Sequence, residues 1–288
     1  MIPRSFEYYN PSSLEEAIKL LDSKEDSKVL AGGQSLIALM KLRLASPESV
    51  IDLNNISGMS YIKESDGKLL IGALTTHDMY ENSDLVKRKC FVLSEAASRV
   101  ADQQIRNKGT IGGTICHADP SADVPTAILA LDADIVITGP GGDRVVSAKD
   151  FFVDFFTTAL NPNEIVKEIQ IPFLGERTGS AYFKHARREG DFAIAAVAVI
   201  LTLDAEGVCT KASISLGSVG PTPLRATKVE NALVGKTLND ELIAESSLLA
   251  DFNISPPSDI HGSADYRVEM TKVFTKRVIK MALNRIGS

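Results

Sequence analysis

Two glycine pairs, far apart in the chain, constrain this sequence more than any other feature. Gly32 and Gly33 follow a short apolar stretch that is predicted to be a strand, and Ser35 can begin a helix after them. Paired glycines let the backbone turn sharply, and consecutive amide N–H groups at a helix start form an anion-binding concavity. Gly112 and Gly113 form a second pair, flanked by hydroxyl side chains. Each pair predicts either a phosphate cradle or a tight turn without a ligand, and two pairs together favour a dinucleotide with its two phosphates.

Composition and charge are those of an ordinary globular chain. Hydrophobic residues make up 44% and charged residues 24% of the 288 positions, and a chain of this length suggests two or three domains. The net charge of −6 gives no general basic field, so we expect no nucleic-acid surface. No apolar run approaches the roughly 20 residues that span a bilayer, and the N-terminus lacks a signal-peptide pattern. We therefore expect a cytoplasmic protein without a membrane span.

The cysteines exclude two common kinds of site. Cys90, Cys116 and Cys209 lie far apart and form no CxxC pair. Three scattered thiols provide neither a disulfide framework nor the four thiolates of a typical iron–sulfur site. The sequence therefore predicts that the chain has no metal ligands of its own.

Hydrophobic periodicity predicts helices mixed with strands before residue 172. Helices are predicted over residues 13–22, 35–44, 85–101 and 124–131, the last with Pro125 in its first turn, where proline is tolerated. Strands are predicted over residues 28–31, 49–53, 68–72, 134–138 and 164–171, with 145–146 as a hairpin partner.

A different pattern follows a predicted linker at residues 173–180. A long apolar strand at 193–203, a turn at 204–207 and a return strand at 212–219 predict an antiparallel hairpin, and helices are predicted over 228–234, 239–251 and 264–286. We place a domain boundary near residue 176. The expected domains are residues 1–176, divided into two subdomains near 57, and residues 177–288.

Several segments resemble the FAD-binding subunits of molybdenum hydroxylases, the group of aerobic carbon monoxide dehydrogenase and xanthine dehydrogenase. The shared stretches occur in the same order over nearly the whole chain: AGGQSL (31–36), KLRL (41–44), VIDLNNI (50–56), NKGTIGGTICHADPSADVP (107–125), AYFKHARREGDFAIAAVAV (181–199) and DIHGSADYR (259–267). The resemblance implies an α+β fold. It consists of a two-subdomain FAD-binding domain of the vanillyl-alcohol oxidase (PCMH) type, then a smaller α+β domain of the CO dehydrogenase flavoprotein type, with an antiparallel sheet and helices.

The resemblance also implies which residues hold the cofactor. In this family both glycine loops hold the FAD pyrophosphate, an acidic residue faces the sugar, and a lysine borders the flavin ring, where a cation stabilises the anionic reduced flavin. The expected FAD-binding residues are Ala31, Gly32, Gly33, Gln34, Ser35, Leu36, Thr110, Ile111, Gly112, Gly113, Thr114, Asp123 and Lys184. From the residues alone, Asp123 could equally cap the helix that starts near Val124. Tyr182 is a candidate to stack on the ring.

Two departures from the family pattern concern the loops themselves. The second loop often ends in Asn, and here it ends in Thr114, which keeps a hydroxyl donor but loses an amide. Some flavin oxidases of this fold carry a His near the first glycine pair and attach FAD covalently. Gln34 stands there in this chain, so we expect non-covalent binding unless His77, His117 or His185 attaches the cofactor.

The resemblance implies an electron-transfer subunit. A large molybdopterin-binding subunit would oxidise the substrate, a small subunit with [2Fe-2S] clusters would pass electrons to this FAD, and the acceptor would be NAD, a quinone or O2. The expected assembly is an (LMS)2 heterohexamer, and we expect no catalytic acid, base or nucleophile in this chain. A free-standing FAD oxidase or dehydrogenase of the same fold is one alternative, with His185 or Arg187 as its base. A nucleotide-binding scaffold without redox activity is another.

Overall fold

A computed structural model of the protein describes residues 2–287. Within that range the helices are α1 (Leu14–Ser23), α2 (Leu36–Leu42), α3 (His77–Glu81), α4 (Asp84–Lys89), α5 (Phe91–Ser98), α6 (Gln103–Arg106), α7 (Ile111–His117), α8 (Asp123–Ala130), α9 (Ala148–Phe151), α10 (Thr227–Leu233), α11 (Asp240–Ser247) and α12 (Ala264–Asn284). Short 3-10 helices cover Leu53–Asn55 and Leu248–Asp251. None of the helices in this part of the chain combines the length and the apolarity needed to cross a bilayer.

The strands form three sheets and one short hairpin. Their bounds are β1 (Glu7–Tyr9), β2 (Ser27–Leu30), β3 (Ser49–Asp52), β4 (Ile62–Ser65), β5 (Lys68–Gly72), β6 (Asp134–Gly139), β7 (Gly142–Ser147), β8 (Phe152–Asp154), β9 (Thr157–Thr158), β10 (Ile165–Pro172), β11 (Thr178–His185), β12 (Ala195–Leu203), β13 (Cys209–Gly217) and β14 (Leu224–Arg225). A parallel sheet has the order β1-β3-β2. An antiparallel sheet has the order β4-β5-β10-β6-β7, and a second one has the order β11-β12-β13-β14.

Strand β12 joins the two hydrophobic cores. Successive side chains of a strand point to opposite faces. Ala196 and Ala198 accordingly pack into the core under the first two sheets, and Val197 and Val199 pack into the core between the last sheet and α12. Burial on both faces explains why this strand is a continuous apolar run rather than an alternating one. The architecture of mixed helices and antiparallel sheets confirms the predicted fold class. The boundary near residue 176 stays a prediction.

The predicted helix over residues 85–101 is two helices. Cys90 has a φ of −155° and a ψ of 64°, which ends α4, and α5 begins at the next residue. The thiol of Cys90 is fully buried, so the break turns this side chain into the core. Three basic residues close the last turn of α4. Basic residues are favourable at a helix C-terminus, so they are a local signal that α4 ends here. The apolar periodicity continues beyond them, and it led to the prediction of one long helix.

The second glycine pair lies inside a helix. Thr110 is the N-cap of α7, and its hydroxyl oxygen accepts from the backbone N–H of Gly113 at 3.0 Å. The cap satisfies one of the free N–H groups of the first turn. The prediction of a loop at residues 109–114 is therefore wrong for residues 111–114, which belong to α7. Glycines are poor helix formers, and the Thr110 cap compensates for the two at the start of this helix.

Candidate functional site

The first glycine loop presents unpaired backbone donors. Its carbonyl oxygens are occupied by side chains, since Asn54 Nδ2 donates to Ala31 O at 2.9 Å and Gln34 Nε2 donates to Gly32 O at 3.0 Å. Within residues 2–287, the backbone N–H groups of residues 32–35 donate to no protein acceptor. Gly33 has a φ of +73°, which a glycine adopts without strain. The loop therefore presents donors, and it suits a ligand rich in acceptor oxygens.

The fold brings the second glycine segment directly against the first. A Cβ atom on Gly32 would lie 2.0 Å from the carbonyl oxygen of Lys108. A Cβ atom on Gly113 would lie 3.7 Å from the Cβ of Ala31. The two glycine segments therefore line one place in the fold, and the first approaches the second so closely that a side chain on Gly32 would collide with backbone.

The second segment contributes little backbone to a ligand, because its amides are already used. The N–H of Gly112 donates to Ala73 O at 2.9 Å, and the N–H of Thr114 donates to Thr110 O at 3.0 Å. Ile111 is fully buried, and its N–H donates to Thr75 O at 3.0 Å. The half-buried hydroxyl of Thr114 is the polar group that this segment can offer to a ligand.

The hydroxyl of Thr114 is hydrogen-bonded to a buried histidine. His77 Nε2 lies 3.0 Å from Thr114 Oγ1, and His77 Nδ1 is hydrogen-bonded to the hydroxyl of Tyr80. Burial lowers the pKa of His77 to about 4, with the charge of Arg106 as a smaller cause. In the sequence, His77 stands out only as one of three histidines that could attach the cofactor. Only the tertiary fold places it behind the second glycine segment.

Asp123 and Lys184 form a buried ion pair. Lys184 Nζ lies 3.0 Å from Asp123 Oδ2, with side-chain exposures of 4% and 7%. Lys184 also donates to the carbonyl oxygen of Arg99 at 2.6 Å. Burial raises the pKa of Asp123, while the charge of Lys184 and hydrogen bonds from Tyr182 and Lys184 oppose that shift. The pair connects α8 of the first core to β11, and direct contact of either residue with FAD stays a prediction.

The expectation that Tyr182 stacks on a flavin ring is wrong. Its ring is 1% exposed, and its hydroxyl donates to Asp123 Oδ1 at 2.6 Å. The ring lies inside the first core, where a bound ring system could not reach it. The alternative in which Asp123 caps a helix is also wrong, because the N-cap of α8 is Ala122 and the Asp123 carboxylate is bonded to Tyr182 and Lys184.

The charged segment after β11 forms a loop against the first domain. A Cβ atom on Gly190 would lie 2.9 Å from the carbonyl oxygen of Ala101, which lies between α5 and α6. Arg187 pairs with Asp191 at 3.3 Å, and both side chains are partly exposed. Phe192, which the sequence reasoning passed over, is 66% exposed at the end of this loop. The loop therefore carries an aromatic ring that is mostly exposed.

Two protein families match the chain in sequence. Residues 4–174 match the family described as the FAD binding domain in molybdopterin dehydrogenase. Residues 180–282 match the family described as the CO dehydrogenase flavoprotein C-terminal domain.

Individual relatives match over almost their whole length. The chain is 40% identical to the carbon monoxide dehydrogenase medium chain of Afipia carboxidovorans, covering 99% of both chains. It is 38% identical to the 6-hydroxypseudooxynicotine dehydrogenase complex subunit alpha of Paenarthrobacter nicotinovorans, covering 99% of this chain and 97% of that one. Among solved structures, a carbon monoxide dehydrogenase from Hydrogenophaga pseudoflava, which lacks the Mo-pyranopterin moiety of the molybdenum cofactor, superimposes with a TM-score of 0.97 at 40% identity and full coverage of both chains.

Proposed function

This chain belongs to the FAD-binding medium subunits of the molybdenum hydroxylase family, and on that premise we propose that it passes electrons from a partner subunit to an external acceptor. FAD is its cofactor, and the chain is a subunit of an oxidoreductase. The observation that carries the proposal is the meeting of two glycine segments around unpaired backbone donors.

The first loop fits a dinucleotide. Phosphate oxygens are strong acceptors, and the free N–H groups of residues 32–35 are donors that no protein group satisfies within the described chain. We propose that the segments 31–36 and 110–114 hold FAD between them. The first would contribute backbone donors, and the second would contribute the Thr114 hydroxyl and a surface without bulky side chains.

We propose that FAD binds without a covalent bond. Gln34 is exposed beside the first loop and has no nucleophilic atom for attachment to the flavin. His77 is 2% exposed and uses both ring nitrogens in hydrogen bonds. His185 Nε2 is hydrogen-bonded to the hydroxyl of Tyr266 at 2.9 Å, and the His117 ring packs against Phe156 at a centroid distance of 5.1 Å. Gln34 is thus not nucleophilic, and the three imidazoles are already in contact with other side chains. These observations support non-covalent binding.

When bound, FAD supplies a redox centre that can accept electrons singly and release them in pairs. The chain's own residues would bind and orient the cofactor. We propose that Lys184 and Asp123 act indirectly, by fixing β11 and the charged loop after it against α8 through their buried ion pair. The residues of this chain would move no substrate proton.

We propose that substrate oxidation takes place in another subunit. The family consists of medium subunits of multi-subunit complexes, which implies large and small partners. We propose a molybdopterin-binding large subunit, a [2Fe-2S] small subunit and an (LMS)2 heterohexamer in the cytoplasm. The relatives are named for carbon monoxide and for 6-hydroxypseudooxynicotine. Such different substrates on one kind of medium subunit support a substrate site outside this chain.

Flavin reduction with and without partners tests the proposal. The reconstituted chain alone should keep an oxidised flavin spectrum when mixed anaerobically with a candidate small-molecule substrate, and it should contain no molybdenum and no stoichiometric iron. The copurified complex should bleach the flavin with the same substrate, and adding NAD, a quinone or O2 should restore the absorbance and so identify the acceptor. Reduction of the isolated chain by substrate would instead support a free-standing flavin dehydrogenase.

A further inference from the structure

Behind the second glycine segment lies a buried chain of three polar side chains. Thr114 Oγ1 is 3.0 Å from His77 Nε2, and His77 Nδ1 is hydrogen-bonded to the hydroxyl of Tyr80. His77 is 2% exposed and Tyr80 is fully buried. The backbone is fixed as well, because the N–H of His77 donates to the carbonyl oxygen of Gly109 at 2.9 Å. Among these three hydrogen-bonded side chains, Thr114 is the one on the side of the glycine loops.

The positions of the protons follow from counting donors and acceptors. The Tyr80 hydroxyl has one proton, and its polar partner within residues 2–287 is His77 Nδ1. A buried O–H without an acceptor is costly, so Tyr80 donates to Nδ1. Burial keeps both groups uncharged, since it lowers the pKa of His77 to about 4 and raises that of Tyr80. A neutral imidazole has one N–H, which must then be at Nε2 and must donate to Thr114 Oγ1.

We propose that His77 is a positioning residue of the FAD site, which occupies the hydroxyl oxygen of Thr114 and so turns the hydroxyl proton toward an acceptor atom of the cofactor. The inference rests on the proposed place of FAD between the two glycine segments. Thr114 Oγ1 has no other hydrogen-bond partner in the described part of the chain. The threonine that ends this segment thus becomes a donor of fixed direction instead of a hydroxyl that can rotate freely.

The glycine at position 109 has its reason in the same arrangement. A Cβ atom on Gly109 would lie 2.8 Å from His77 Cδ2 and 3.1 Å from His77 Nε2. A side chain there would push the imidazole away from Thr114. The first glycine of the second motif therefore makes room for His77, and the next pair lies in α7.

The tautomer of His77 can be read by NMR. Long-range proton–nitrogen correlation spectra of the full-length chain, labelled with 15N, distinguish a protonated from an unprotonated ring nitrogen. The chain has four histidines, and the signal of His77 is the one lost in His77→Gln. We expect an unprotonated Nδ1 and a protonated Nε2 at neutral pH. A protonated Nδ1 would overturn the inference, because Nε2 would then accept the Thr114 proton.

A double-mutant cycle on FAD affinity separates positioning from packing. Thr114→Val should weaken FAD binding by about tenfold, as expected for a lost hydrogen bond, while Thr114→Ser should bind like the wild type. His77→Leu should weaken binding in the wild-type background but cause no further loss in the Thr114→Val background. His77→Gln keeps a donor near the Nε2 position and should retain most of the affinity.

The outcomes distinguish this inference from the proposed function. Equal losses from His77→Leu in both backgrounds would mean that His77 only packs the core, and unchanged affinity of Thr114→Val would remove the hydroxyl from the site. Either result overturns the positioning role while FAD binding stands. A wild-type chain that binds no FAD would instead contradict the proposed site as a whole. If His77→Leu fails to fold, the FAD affinity of Thr114→Val and the tautomer of His77 still test the positioning role.

Discussion

A Cβ atom on Gly32 would lie 2.0 Å from the carbonyl oxygen of Lys108. This contact joins the two glycine motifs of the sequence at the level of the backbone, with no room for a side chain between them. Because Gly32 belongs to the loop whose N–H groups are free, any shift that relieves a clash here also displaces the donors that we assign to the FAD phosphates.

Gly32→Ala should therefore weaken FAD binding by tenfold or more, because the first loop must move away from Lys108. Gly141→Ala is the matched control. A Cβ atom on Gly141 meets nothing within 4 Å, and the φ of Gly141 lies outside the positive region. Titration of each full-length apo-protein with FAD, followed by flavin fluorescence, measures the effect. Equal affinities of the two variants would contradict the role of this contact.

The buried pair of Asp123 and Lys184 should matter for stability. Asp123→Asn leaves the ammonium group of Lys184 buried without a counter-charge, which should lower the free energy of unfolding by about 3 kcal/mol. Adding Lys184→Met should recover part of that loss. Asp143 and Lys167 form a partly exposed pair at 2.8 Å, and Asp143→Asn should cost less than about 1 kcal/mol. Urea unfolding of the wild type and of these three variants measures the free energies of unfolding.

FAD titration of the same variants tests whether the pair touches the cofactor. If the pair acts only by fixing β11 against α8, the double variant Asp123→Asn, Lys184→Met should bind FAD nearly as tightly as the wild type. A loss of affinity that persists in a double variant of restored stability would support direct contact with the cofactor instead.

His77 should make the protein sensitive to acid. Its pKa is lowered to about 4 in the folded chain from an ordinary value of 6.5. Between those values the unfolded chain binds a proton that the folded chain does not, so stability falls as the pH falls, by at most about 1.4 kcal/mol per pH unit from this group. His77→Gln should remove this part of the slope. Urea unfolding at several pH values checks the difference, and identical slopes for both proteins would contradict it.

Local signals in the sequence predicted most of the strands and the first glycine loop. The strand Lys68–Gly72 has the predicted bounds, and the predicted hairpin of apolar strands is the antiparallel pair Ala195–Leu203 and Cys209–Gly217. Alternation, apolar runs and turn residues are properties of neighbouring positions. The break at Cys90 was missed because the apolar periodicity continues across it, although three basic residues mark the end of α4.

The polar contacts of the site could not be predicted in the same way. The sequence places His77 far from Thr114, and Asp123 far from both Lys184 and Tyr182. Their partners depend on how α3, α7, α8 and β11 pack. Periodicity contains no information on that packing. The resemblance implied that Asp123 and Lys184 contact the cofactor, which stays a prediction, but it did not indicate that the two side chains pair with each other. Tyr182 shows the difference most clearly, because its ring is buried in the core.

Acid release of flavin from the reconstituted chain tests the central claim most directly. The full-length protein is incubated with excess FAD, freed of unbound flavin by gel filtration, precipitated with acid and centrifuged. We predict that the native protein retains FAD in an equimolar amount and that all of the flavin appears in the supernatant. A protein that retains no flavin after gel filtration, or a flavin that stays in the acid pellet, would contradict non-covalent binding by these two loops.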